Sequence, residues 1–112
     1  MPNKQPQNPI ELITIEQNFP YSDPETAGTK DNWKALSVKP YAELEIGQGR
    51  HFYAAKQHNV ELQGIVFTNQ YLQGLTNDKQ FRVICSRGTF DVMWIIDLRE
   101  QNKNEIHLKQ IS

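Results

Sequence analysis

A regular alternation of side chains near the end of the chain places the tightest limit on the fold. The nine residues from Phe90 to Leu98 form two series, and the series expected to face inward is Phe90, Val92, Trp94, Ile96 and Leu98. Successive side chains of a β-strand point to opposite faces of a sheet, whereas a helix repeats about every 3.6 residues. The run therefore predicts a β-strand with the Trp94 ring in the core.

Five more stretches indicate strands. They are Ile10 to Gln17, Trp33 to Ile46 with an interruption at Pro40, Val60 to Asn69, Phe81 to Cys85, and a stretch that begins with Ile106 and Leu108. Turn signals separate these stretches at nearly regular spacing, and Gly88 suits the positive φ of a hairpin turn. The pattern predicts a mainly β fold, a small antiparallel β-barrel or sandwich of about six strands.

Three segments lack this alternation. Met1 to Pro9 is polar and contains three prolines, which predicts a flexible N-terminal arm and leaves residues 10–112 as one domain. Asn18 to Asn32 is rich in proline, glycine and small polar residues, and we expect a long loop. Gly47 to Asn59 has good helix formers at its centre, which favours one short helical segment.

Composition excludes some classes of protein. Lys and Arg total 12, Asp and Glu total 13, and the formal net charge is -1, so the basic excess typical of proteins that grip nucleic acid is missing. Cys85 is the sole cysteine, which we expect to be a reduced thiol packed in a strand. No stretch approaches the roughly 20 apolar residues of a membrane span, so we expect no membrane partner and folding in a cytoplasm.

The sequence offers few candidates for catalysis or metal binding. His51 and His58 lack a nearby third ligand, and even open zinc sites usually use three protein ligands. His107 is expected to point outward between two apolar neighbours. Glu43 and Glu45 would share one strand face about 7 Å apart, which suits acid and base chemistry but is equally typical of a solvated face. We expect no catalytic residue, no metal and no cofactor.

The order of the elements carries a resemblance. Its parts are the strand ITIEQ at Ile13 to Gln17, a polar loop ending at Trp33, AELEIGQGRHFYAAKQHNVEL at Ala42 to Leu62, IVF at Ile65 to Phe67, a loop with Gly74, and FRVICSRGTFDVMWIIDLRE at Phe81 to Glu100. Together these resemble the head–tail joining family of tailed bacteriophages, also called head-closure or stopper proteins. The family often has an arginine where this chain has Thr68 and Asn69.

The resemblance implies a structural role without enzymatic activity. It implies a β-barrel that assembles as a dodecameric homo-oligomeric ring below the portal of the virion, closes the DNA channel after packaging and presents a surface to the tail. The implied partners are further copies of the chain, portal or adaptor proteins and a tail-end protein, with packaged DNA nearby but not bound sequence-specifically. We expect the interfaces on two loops, at Tyr21, Asp23, Glu25, Lys30, Arg50, His51, Tyr53 and Lys56.

Two other functions are compatible with the residues. A small β-barrel could bind single-stranded nucleic acid through Arg50, Phe52 and Tyr53, helped by further aromatic rings at Trp33, Tyr41 and Trp94. Alternatively, Glu43 and Glu45 could serve a small hydrolase. Nucleic-acid binding would show as an affinity for oligonucleotides that falls steeply with salt, and hydrolysis as a loss of function when both glutamates are replaced.

Overall fold

Antiparallel strands make up nearly all the regular structure in the computed structural model, which describes residues 9–46 and 63–111. The strands are β1 Ile10–Leu12, β2 Thr14–Asn18, β3 Tyr21–Asp23, β4 Gly28–Lys30, β5 Trp33–Ala35, β6 Tyr41–Ile46, β7 Gln63–Thr68, β8 Phe81–Cys85, β9 Gly88–Leu98 and β10 Lys103–Gln110. One turn of 3₁₀ helix, Arg99–Gln101, joins β9 to β10. The predicted N-terminal arm, apart from Pro9, and the predicted helical segment lie outside the described residues.

Eight of these strands form one curled sheet with the order β1-β6-β7-β10-β9-β8-β2-β5. The stretch from Ile10 to Asn18 supplies both β1, which pairs with β6, and β2, which pairs with β8 and β5. Because one continuous stretch takes part at both sides of the sheet, the sheet curls back on itself. The prediction of a mainly β, antiparallel barrel-like fold is confirmed.

The core fills the concave side of this sheet. One row across four strands joins Leu44, Val66, Ile106 and Ile95. The buried apolar side chains of the described residues are Ile13, Ile15, Ala42, Leu44, Val66, Leu75, Phe81, Val83, Phe90, Ile95, Ile106 and Leu108. Most come from the alternating positions that predict strands, because a sheet with one buried face needs an apolar residue at every second position.

The predicted strand interruption at Pro40 and the predicted turn at Gly88 are also confirmed. Pro40 separates β5 from β6, as expected of a residue that cannot donate a backbone hydrogen bond. Gly88 has φ 127° and pairs with Cys85, so that a two-residue turn joins β8 to β9. A side chain at this φ would be strained, which explains a glycine here.

The segment from Asn18 to Asn32 differs from the predicted loop, because β3 and β4 form a separate two-stranded hairpin inside it. At its tip, the backbone N–H of Ala27 donates to the carbonyl of Asp23 at 2.9 Å, and that of Glu25 donates to the Asp23 carboxylate at 2.9 Å. Nearly every hairpin side chain is exposed. Without a buried face the hairpin has no hydrophobic alternation, the signal by which strands are found.

The inward series predicted for Phe90 to Leu98 is correct only in its first half. Leu108 pairs with Val92 whereas its neighbour His107 pairs with Trp94, so that Met93 is an extra residue in β9. Such a β-bulge shifts the alternation by one position. Trp94 and Ile96 consequently face outward, and Ile95 is buried in their place. The prediction of Trp94 in the core is wrong.

Two asparagines, buried Asn104 and exposed Asn77, fix the irregular segment between β7 and β8. The Asn104 side chain is fully buried; its amide oxygen accepts a hydrogen bond from the Leu72 N–H at 2.8 Å, and its amide nitrogen donates to the Leu72 carbonyl at 3.3 Å. Asn77 makes the same two-way contact with the backbone of Ile95, at 2.9 and 2.7 Å. Ile95 lies in the part of β9 that extends beyond the pairing with β8. Asn77 therefore supplies hydrogen-bond partners for the Ile95 N–H and carbonyl that strand β8 does not reach.

Candidate assembly surface

The β3–β4 hairpin is exposed at nearly every position, and four of the predicted interface residues lie on it. Tyr21 is 53% exposed and is the cross-strand partner of Lys30. Asp23 and Glu25 lie at the tip, where the Asp23 carboxylate shapes the turn. A two-stranded hairpin with no core of its own is marginally stable in water. Contact with another molecule would supply the burial that the hairpin lacks.

The base of the hairpin is held firmly by the side chain of Asn18. Its amide nitrogen donates to the Asp31 carboxylate at 3.0 Å and to the Gln80 amide oxygen at 2.8 Å, while its own oxygen accepts from the Asn32 N–H at 2.8 Å. Asn18 is nearly buried, so these bonds are shielded from water. The hairpin therefore projects from the sheet in a defined direction.

A second exposed surface lies on the convex side of the sheet, and sequence reasoning missed it. We call it the Trp94 groove; it is lined by Gln63, Gly64, Ile65, Met93, Trp94, His107 and Leu108. The β-bulge turns both Met93, 52% exposed, and Trp94, 50% exposed, towards solvent. Large apolar side chains grouped on an otherwise polar face often mark an interaction site.

His107 orders the floor of the Trp94 groove. It points outward between buried Ile106 and Leu108, as predicted, and its ring stacks on Trp94 with centroids 4.5 Å apart and planes 16° apart. Its Nε2 lies 2.7 Å from Oε2 of Glu105. These two contacts fix the position of the indole, so the groove is preformed.

Two carboxylates, Glu45 and Glu105, lie next to the residues that line the groove. In the strand register Glu45 is opposite Ile65, and Ile65 is opposite His107. Within the described residues Glu45 has no hydrogen-bonding or ionic partner, while Glu105 is paired with His107. The apolar floor is therefore bordered by negative charge on the β6 side.

A polar cluster lies at the far end of β9. The Tyr71 hydroxyl donates to the Asp97 carboxylate at 2.7 Å, and the Arg99 guanidinium pairs with the same carboxylate at 2.8 Å. These hydrogen bonds, that from Arg99 above all, hold the pKa of Asp97 well below its usual range. The bond to Asp97 also raises the pKa of Tyr71. All three groups are solvent-accessible, and the cluster ties the segment after β7 to the end of β9.

The other predicted site residues are not brought together in the described structure. Arg50, His51, Tyr53 and Lys56 fall outside the described residues, as do Phe52 and His58. Trp33, Tyr41 and Trp94 lie on β5, β6 and β9, which are not neighbours in the hydrogen-bonded order. Trp33 is moreover covered by the Arg82 guanidinium, 4.3 Å from its ring centroid. The described aromatic side chains therefore form no continuous stacking platform.

Acidic, histidine and cysteine side chains are the candidates for metal binding or catalysis among the described residues. Residues 9–46 and 63–111 hold no cluster of three or more histidine, cysteine or acidic side chains placed to bind a metal ion. Cys85 lies at the end of β8, partly buried against the core as expected, and burial raises the pKa of its thiol. Glu43 and Glu45 lie on the convex side of β6 and alternate with buried Ala42 and Leu44.

Within the same ranges, none of the helical structure has the length and hydrophobicity that crossing a lipid bilayer requires.

Comparisons with known proteins identify a shared fold. No protein-family model matches the chain, and neither does any curated protein sequence. Protein SF1141 from Shigella flexneri 2a, known from a solution structure, superposes with a TM-score of 0.58 at 14% identity, over 89% of this chain and 90% of that one. A chain of the virion of a native gene transfer agent particle superposes with a TM-score of 0.56 at 14% identity, over 96% of both chains. The curled antiparallel sheet is thus a fold that this chain shares with both of these structures.

Proposed function

We propose that the chain is a structural component of a tailed-phage-type particle and acts as a head–tail connector subunit. In this role several copies form a ring below the portal, close the DNA channel after packaging and present a docking surface to the tail. The subunit has no enzymatic activity. It resides at the head–tail interface of the virion, and in the host cytoplasm before assembly.

One observation carries the proposal. The fold matches a chain of a gene transfer agent virion over 96% of both chains, so the likeness extends over nearly the whole of each. The order of the sequence motifs, which resembles the head–tail joining family, supports the narrower role of connector.

The exposed surfaces support an assembly role in particular. The chain combines a projecting hairpin with little burial of its own and a preformed apolar groove on the convex side of the sheet. A subunit that binds neighbours on two sides needs two such surfaces on a rigid scaffold. A near-zero net charge suits a protein that lies beside packaged DNA without gripping it.

Deletion of the gene from the genome that carries it tests the proposal. Mass spectrometry of purified wild-type particles should detect the chain, and electron microscopy of the deletion strain should show heads without attached tails and with their DNA lost. A plasmid copy of the gene should restore tailed particles. Absence of the chain from purified particles would contradict a virion role, and normal tailed, DNA-filled particles in the deletion strain would contradict the connector role.

Oligonucleotide binding separates this proposal from a nucleic-acid-binding module. A connector subunit should bind single-stranded oligonucleotides no more tightly than at non-specific, roughly 10⁻⁴ M, levels at physiological salt. Micromolar affinity that falls steeply as salt rises would favour the nucleic-acid-binding module instead.

A further inference from the structure

We propose that the β3–β4 hairpin of one copy docks into the Trp94 groove of a second copy, with Tyr21 on the apolar floor and Lys30 paired with Glu45. This inference rests on the proposed function, because it names the contact that would join neighbouring subunits of the ring. It commits the groove to one occupant, a second copy of this chain.

The hairpin presents an aromatic and basic face. Tyr21 and Lys30 are cross-strand partners, so their side chains leave the same face about 5 Å apart. Phe19, also exposed, lies two residues before Tyr21, and the Lys34 ammonium is 5.7 Å from the centroid of its ring. The ammonium of Lys30 has no ionic partner among the described residues. This face therefore offers aromatic rings accompanied by positive charge.

The groove presents the complementary combination. Its floor is apolar and aromatic, and the carboxylate of Glu45 borders it. Ile65 on the floor is one strand spacing, about 4.8 Å, from Glu45 on β6. That separation matches the spacing between Tyr21 and Lys30 on the hairpin. A tyrosine ring against Ile65 would therefore place a lysine ammonium within reach of Glu45.

The two surfaces lie on different parts of the chain, so the contact between copies is head to tail. A contact of this kind leaves one hairpin and one groove open on every dimer, so further copies can add at either end. A symmetric dimer, by contrast, would use one patch twice and stop at two subunits. If the rotation between neighbours closes, the inferred contact builds a ring without any additional interface; if it does not close, the same contact builds an open filament.

Charge reversal tests the contact through self-association of the full chain. In Lys30→Glu two carboxylates would meet at the contact, and in Glu45→Lys two ammonium groups would meet. Each variant alone should therefore self-associate at least about tenfold more weakly than wild type, as measured by sedimentation velocity. An equimolar mixture should recover association, because every contact in an alternating assembly then pairs opposite charges. Lys79→Glu, a charge reversal at an exposed lysine outside both surfaces, should behave as wild type.

Disulfide trapping tests the contact even where association is weak. In a Cys85→Ser background, Tyr21→Cys combined with Met93→Cys should give a ladder of oxidised multimers, while Lys79→Cys combined with Met93→Cys should not. Trp94 fluorescence in a Trp33→Phe variant should shift to shorter wavelength as protein concentration rises and multimers form.

Each outcome decides the inference. No recovery in the charge-reversal mixture together with no ladder would overturn it. A Trp94 emission already blue-shifted in dilute monomer would also overturn it, because the groove would then be covered by the chain's own residues. Particles that lose their tails upon gene deletion while the ladder is absent would leave the connector role standing and remove only this contact.

Discussion

Replacing Asn104 by alanine removes the polar anchor that holds the segment after β7 against the core. The side chain is fully buried, and both its amide oxygen and its amide nitrogen bind the backbone of Leu72. Its oxygen also lies 3.3 Å from the Thr68 hydroxyl, which has another acceptor in the Gln70 carbonyl at 2.8 Å. Alanine therefore deprives Leu72 of two hydrogen bonds, while the Thr68 hydroxyl still donates to the Gln70 carbonyl and accepts from the backbone N–H of residue 104.

The size of the effect follows from these contacts. A net value of about 1 kcal/mol for each lost bond, plus part of the desolvation penalty of the Leu72 N–H, gives a destabilisation of about 2–3 kcal/mol. In a domain of this size, that corresponds to a fall in Tm of roughly 8–12 °C. Leu75, buried in the core, belongs to the same segment, so its packing loosens as well.

Urea unfolding followed by circular dichroism measures the change directly. Asn104→Ala should lower the midpoint without changing the m-value, since the folded sheet itself remains. Asn69→Ala, an exposed asparagine one residue after β7, is the matched control and should stay within about 0.5 kcal/mol of wild type. Equal stabilities of the two variants would refute the reasoning that Asn104 anchors this segment.

Three further predictions follow from the described contacts. Asn77→Ala should cost about 1–2 kcal/mol in urea unfolding, because it leaves the backbone of Ile95 without its two side-chain hydrogen bonds. Asp97→Asn should lower stability near neutral pH, and its difference in stability from wild type should shrink as pH falls below about 4. The reason is that folding depresses the pKa of Asp97, so the carboxylate stabilises the fold above its unfolded pKa and loses this contribution as it protonates in the folded state. A difference in stability that stays constant with pH would contradict this. Cys85 should react with a thiol reagent at pH 8 more slowly than free cysteine and speed up upon unfolding, because burial raises its thiol pKa; equal rates would contradict the burial.

Strand positions and the antiparallel class follow from local sequence. Ile13, Ile15, Ala42 and Leu44 alternate with polar neighbours, and a sheet with one dry face allows only one placement of such a run. Gly88 likewise identifies its turn, because few residues other than glycine adopt φ 127° without strain. These features depend on residues close together in the chain, so the sequence is enough to predict them.

The candidate surfaces depend on the tertiary structure. Met93 and Ile95 are as apolar as Val92 and Trp94, so nothing within β9 marks where its alternation reverses; pairing with β10 places the bulge. The sequence did carry one sign of this ambiguity: apolar residues occupy both the odd and the even positions of β9. Such a strand can bury either of its two faces.

Sequence alone thus determined where this chain forms strands and that they pair antiparallel, since alternation and turn chemistry act between near neighbours. Which side chains face outward, and how the hairpin is held, was decided by contacts between distant residues. Asn18 fixes the hairpin through Gln80, 62 positions away, and His107 of β10 positions Trp94 of β9. Those contacts exist only once the sheet has curled, because curling brings strands that are remote in the chain side by side.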